Sequence, residues 1–175
     1  MLRVASMNFS PQSMQDFNSG TAKAKTAALW LYLVSAATVL NSLILFKYRF
    51  IDLLIGLSFT QFIDAIFVGM QLEPPGTPWW YTAYPALVLD MPFVVLLLVL
   101  AVKMPRRRRG ATRFSFWLYA IDTLVVTVNF AASIAIFHSP LRPLAWQSLT
   151  LIAHGVGLIV LFRALQGSVT AQTPA

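Results

Sequence analysis

Five stretches of the chain are each long and apolar enough to cross a hydrocarbon layer, and no competing pattern spans them. They run over about Ala27–Phe46, Phe50–Leu72, Trp80–Val102, Phe114–Phe137 and Leu144–Leu165. A transmembrane helix needs roughly 20 mostly apolar residues to cover about 30 Å of hydrocarbon. Short polar or proline-rich pieces separate the stretches: KYR, EPPGTPW, KMPRRRRGATR and HSPLRP. None alternates like a strand, and a barrel would need many segments of about ten residues. The pattern predicts an all-α, polytopic membrane bundle with five transmembrane helices in one domain, residues 27–165. A polar N-terminal segment, 1–26, and a polar tail, 166–175, flank it and are expected to be loosely ordered. The long first apolar run, preceded by 26 mixed residues, reads as a retained span rather than a cleaved signal.

Composition narrows the function classes. Charged residues are 11% of the chain, against about 25% in soluble domains. The absence of cysteine excludes disulfide frameworks, thiolate metal sites and cysteine nucleophiles. Two histidines and six acids leave little for a polydentate metal site, so no metal and no cofactor is expected. The phosphate-binding glycine loop, HExxH and GxSxG are also missing.

The net charge of +7 is first a topology signal. Lys47 and Arg49 lie in the first connection, and Lys103, Arg106–Arg109 and Arg113 in the third; the second has no base and the fourth only Arg142. With five crossings, the excess of lysine and arginine places connections one and three in the cytoplasm. The N-terminus is then outside and the C-terminus cytoplasmic, although Arg3, Lys23 and Lys25 fall on the translocated side. The Arg106–Arg109 run suits anionic lipid headgroups. A nucleic-acid partner would want interleaved aromatics or a folded basic surface, and neither is present. The lack of cysteine favours a bacterial inner membrane over the endoplasmic reticulum.

The residues of interest are the polar ones inside the spans. A charge near the bilayer centre costs about 2.5–3.5 kcal/mol on insertion scales and marks a functional candidate. The chain places Asp64 in the second stretch, Asp90 in the third, Asp122 in the fourth and His154 in the fifth. Asp64, Asp90 and His154 fall near the middle third, and Asp122 nearer the cytoplasmic side. Asp52, at a span's edge beside Lys47 and Arg49, reads as interfacial. Helical spacing adds Ser115, Tyr119, Asn129 and Ser133 to the face of Asp122. Gln147, Thr150 and Gly157 share the face of His154. Thr60 and Gln61 sit one turn before Asp64, and Ser35, Thr38 and Ser42 make a milder stripe in the first span. Polar faces in lipid turn inward. Most of the Ser and Thr residues read as helix–helix contacts; the three aspartates do not. No lysine or arginine lies at comparable depth, so His154 is the one basic partner available. Buried carboxylates without a base go neutral or hold a cation. Either outcome suits proton handling, amine binding or general acid chemistry on an apolar substrate.

Pro92, two residues after Asp90, frees the carbonyl of Val88, a common way to open a pocket. Trp79, Trp80, Tyr81 and Tyr84 most simply form an interfacial aromatic belt; a lid over a lipid-facing pocket is the sharper alternative.

From Arg49 to Leu165 the order of features resembles the EXPERA group, the emopamil-binding sterol isomerase and sigma-2 receptor family. The matching pieces are RFIDLL (Arg49–Leu54), MQLEPP (Met70–Pro75), LVLDMPFV (Leu87–Val94), Phe116–Ile134 and LTLIAHGVGLIVL (Leu149–Leu161). The resemblance implies a four-helix membrane fold with an intramembrane pocket for sterol-like or amine ligands. The family's two ligand-facing acids fall on Met70 and Ala86 here, with Asp64 and Asp90 one to two turns away. The shorter connection between those helices and the additional first span also depart from the family pattern.

The sequence thus leads to an acid-lined intramembrane pocket that binds, and in an enzyme isomerises, a hydrophobic sterol- or isoprenoid-like ligand by general acid/base chemistry. Asp64, Asp90, Asp122 and His154 are the candidate catalytic residues. Thr60, Gln61, Trp79, Trp80, Tyr81, Tyr119 and Asn129 are the candidate ligand contacts. Two alternatives stay open: a proton- or cation-coupled small transporter, and a non-catalytic accessory or assembly subunit. Self-association into a homo-oligomer is compatible with each.

Overall fold

The computed structural model describes residues 11–48, 56–61, 78, 80–106, 109–135 and 141–170. Four long helices carry the fold: α1, Pro11–Tyr48; α2, Trp80–Lys103; α3, Arg109–Ala135; and α4, Leu141–Thr170. Helix α1 has 38 residues, about 57 Å at 1.5 Å per residue. It begins with a proline at its first position, where the missing N–H costs nothing, and continues unbroken through Gly20 into the apolar run. Pro85 and Pro92 both lie inside α2, where a neighbouring helix and side-chain hydroxyls can satisfy freed backbone groups.

Helix α1 is the centre of the bundle. It packs against α2 on one side and α4 on the other, α3 packs on α4, and α2 meets α3 only lightly. Alanines make the close approaches: Ala27, Ala28, Ala101 and Ala164 are buried with Leu31, Val34, Leu97, Met104, Tyr119 and Leu161 in one core. Small residues allow the backbones near contact, which is how helices associate where lipid removes the hydrophobic drive. A Cβ on Gly167 would stand 3.3 Å from Gly20 Cα, marking one such crossing of α1 and α4.

The outer surface is apolar. Leu29, Leu33, Leu40, Val88, Val95, Leu98, Ile121, Leu124, Val128, Ile152, Ile159 and Phe162 all face outward. No soluble monomer leaves that much contiguous apolar surface in water, so the surface fits a lipid solvent. The spans are Asn18–Ile44, Tyr84–Lys103, Arg109–Ala132 and Ala145–Ser168. They make this a multi-pass membrane helical bundle.

The number of spans corrects the hydropathy reading. Four helices among the described residues meet the length and apolarity of a crossing, not five. The second apolar stretch, 50–72, contributes only residues 56–61 to the described structure, and there it is not a through-helix. The chain bends at Gly56, is non-helical at Leu57, and makes one helical turn over Ser58–Gln61. Hydropathy measures whether a stretch tolerates hydrocarbon; it does not say whether the stretch crosses or dips into a protein-lined interior.

Candidate functional site

The inner segment 56–61 is held from three helices. Its helical turn starts at Leu57, whose carbonyl accepts the Gln61 N–H at 3.2 Å. A helix start leaves its first N–H groups without intrahelical partners, and a leucine side chain cannot cap them. Other helices supply the acceptors. Thr38 Oγ1 on α1 accepts the Leu57 N–H at 3.0 Å, and Asp122 Oδ1 on α3 accepts the Phe59 N–H at 3.1 Å. The Ser58 hydroxyl lies 3.3 Å from His154 Nε2 on α4. Thr60, wholly buried, turns its hydroxyl back to the Leu57 carbonyl at 2.7 Å.

Asp122 and His154 form the centre. Asp122 Oδ2 lies 3.1 Å from His154 Nε2, with the side chains 4% and 0% exposed. The other ring nitrogen, Nδ1, is 2.9 Å from the Thr150 carbonyl. A carbonyl only accepts, so Nδ1 carries a hydrogen and the tautomer question falls entirely on Nε2. A hydrogen bond across the 3.1 Å gap requires one further proton. Placed on nitrogen it gives an imidazolium–carboxylate pair, and placed on oxygen a neutral acid–imidazole pair. Both forms leave the site with no net charge, which is how a carboxylate can be kept in a dry interior. Tyr119, one turn before Asp122, lies nearly parallel to the imidazole, with ring centroids 5.5 Å apart and an angle of 14°.

The floor of the site is Gly157, one turn after His154. A Cβ there would stand 2.6 Å from Tyr119 Cε1 and 2.7 Å from Trp30 Cε2, with Trp30 Nε1 nearer still. Two rings from α1 and α3 therefore close on bare α4 backbone.

Asp90 belongs to a different contact. It is 1% exposed on α2, and its Oδ2 lies 3.0 Å from the Ser42 hydroxyl of α1. That hydroxyl is also 3.2 Å from the Thr38 carbonyl. Ser42 has a single hydrogen to give, so the Asp90 carboxyl and the Thr38 carbonyl compete for it. Thr38 joins the two centres: its carbonyl faces Ser42 and its hydroxyl holds the inner segment.

Of the residues singled out from sequence, Asp122, His154, Tyr119 and Thr60 come together here, with Gln61 at the end of the same turn. Asp90 bonds Ser42 rather than the Asp122–His154 pair. Asn129 is exposed on α3, two turns beyond Asp122, where the next inward residue is Val126, buried at 7% exposure. Tyr81 is 65% exposed at the start of α2, with its N–H bonded to the Pro78 carbonyl at 3.0 Å; it lies outside the cluster. Trp80 opens the same helix. Asp64 and Trp79 lie outside the described residues. Sequence reasoning did not single out Ser58 or Trp30. The cue for Ser58 was a glycine two residues earlier in a run otherwise treated as continuous helix; Trp30 carried none, because an indole in an apolar span reads as ordinary core.

Comparison with protein-family models, with curated proteins and with solved structures gives no match. The site is therefore read on its own chemistry.

Proposed function

We propose that this multi-pass membrane protein uses the Asp122–His154 pair as an intramembrane general acid/base toward a lipophilic, sterol- or isoprenoid-like ligand. The observation that carries this reading is a carboxylate and an imidazole 3.1 Å apart, fully within the bundle. A proton delivered to an alkene from the pair leaves a carbocation. Loss of a proton from the adjacent carbon then shifts the double bond and restores the pair, with no net change in protons. The resemblance to the EXPERA group supports the ligand class. The light contact between α2 and α3 supports entry from the bilayer on that side, where Phe59 is 45% exposed and its ring meets Phe93 of α2 at 5.1 Å.

The test is purified protein incubated with a monounsaturated sterol in D2O, read for deuterium incorporation and double-bond migration. Asp122→Asn and His154→Gln are expected to lose about 10²–10⁴-fold, the usual worth of a positioned acid or base. Wild-type protein that neither exchanges deuterium nor binds a sterol-like amine overturns the proposal. The non-helical backbone at 56–57 beside the pair favours a second reading, proton-coupled transport, because broken segments at mid-membrane characterise transporter sites. In proteoliposomes that reading predicts proton flux, lost in Asp122→Asn, without chemical change of any sterol.

A further inference from the structure

The helix directions fix how often the chain crosses. Helices α1 and α4 are antiparallel, because Gly20 meets Gly167 while Trp30 meets Gly157. Helices α3 and α4 are antiparallel as well: Asp122 meets His154, and Phe116 meets Phe162 at 6.0 Å between centroids. So α1 and α3 run the same way. Only Met104–Arg108 separate α2 from α3, and two spans joined by so few residues run in opposite directions. Helix α2 is then antiparallel to α1, in keeping with Met104 sharing a core with Ala27 and Ala28. Tyr48 and Trp80 therefore lie at the same end of the bundle.

A chain that leaves and returns to one side crosses an even number of times. The 31 residues from 49 to 79 are too few for two crossings of roughly 17–25 residues each. Their inner segment nevertheless reaches Asp122 and His154, each about halfway along its span. We infer that the chain between Tyr48 and Trp80 makes no net crossing, a re-entrant topology in which the segment 56–61 reaches mid-depth and the chain is back on its starting side at Trp80.

This changes which bases share a side. Among the described residues, Lys23, Lys25, Lys103, Arg106, Arg109, Arg113 and Arg163 lie on the helix stretches at one end, and Lys47 and Arg142 on those at the other. The Lys23 side chain confirms the first grouping, with its Cδ 3.4 Å from where a Cβ on Gly167 would stand. Seven of the nine bases among the described residues on one face orient that face to the cytoplasm, against its anionic headgroups. The first residues of α1 and the last residues of α4 then lie on the cytoplasmic side. Lys23 and Lys25, which oppose a five-crossing topology, agree with four.

The cysteine-free chain allows a direct test with single-cysteine variants and a membrane-impermeant maleimide on sealed right-side-out vesicles. Ser139→Cys is labelled and Gly110→Cys is protected under either topology, so they calibrate the assay. Tyr48→Cys and Ala5→Cys decide. The re-entrant topology expects Tyr48→Cys to label at least tenfold more than Ala5→Cys. The reverse ratio, or equal labelling of the two, overturns it. Since the readout is orientation alone, its failure leaves the acid/base proposal separately testable.

Discussion

Asp122 does two things with two oxygens. Oδ1 caps the inner segment through the Phe59 N–H, and Oδ2 faces His154. Substitutions separate these roles. Asp122→Asn keeps a carbonyl for Phe59 and can donate to a neutral Nε2, so the fold should survive within about 1 kcal/mol, the net worth of one hydrogen bond. Asp122→Leu leaves the part-buried Phe59 N–H without its acceptor, at a further cost of about 1 kcal/mol. Thermal melting in detergent should rank wild type, Asn and Leu in that order, while catalytic loss is equal in the two variants. Equal melting of Asn and Leu would show that the cap does not hold the segment. Much of this centre was legible in the sequence: Asp122 and Tyr119 share a helical face, and His154 and Gly157 another. The pairing of the two faces was not legible, because spacing within a helix carries no information about which neighbour it meets.

At the scale of the elements, α4 contains a natural control. Gly155 and Gly157 are two residues apart, yet a Cβ at 155 meets nothing within 4 Å while one at 157 meets two rings. Gly157→Ala should destabilise by about 1–3 kcal/mol, as overpacking does. Gly155→Ala should be neutral or slightly stabilising, since alanine is the better helix former by up to about 1 kcal/mol. Reducing the indole with Trp30→Leu should make the Gly157→Ala penalty smaller in a double-mutant cycle; strict additivity would refute the contact. The inner segment is the element that hydropathy misjudged. Its apolar length suited a span, but the Leu57 and Phe59 N–H groups and the Ser58 hydroxyl find their partners on α1, α3 and α4. Thr38→Val, which removes the acceptor for the Leu57 N–H, should cost about 1–3 kcal/mol and increase hydrogen exchange at 57–61 more than in α2.

For the whole molecule, apolar length and the lack of charge made membrane residence and helicity plain from the sequence. The count of crossings depends instead on helix direction, a property of pairs that no single stretch encodes. That direction rests on α1 lying antiparallel to α4, with Gly20 of α1 packed against Gly167 of α4. The crossing at Gly20 and Gly167 is close enough to test by covalent trapping. A disulfide needs Cβ atoms about 3.5–4.5 Å apart, and the hypothetical Cβ of Gly167 already stands 3.3 Å from Gly20 Cα. Mild oxidation of the Gly20→Cys/Gly167→Cys double variant should therefore give an intramolecular crosslink, seen as faster migration of the monomer. Each single variant should give none. The pair Gly110→Cys/Gly167→Cys is the comparison, because no atom lies within 4 Å of a Cβ at Gly110. Trapping of 20 with 167 and not of 110 with 167 fixes the α1–α4 register on which both the enclosed site and the even number of crossings depend. Efficient trapping in both pairs, or in neither, would mean that the bundle is arranged differently.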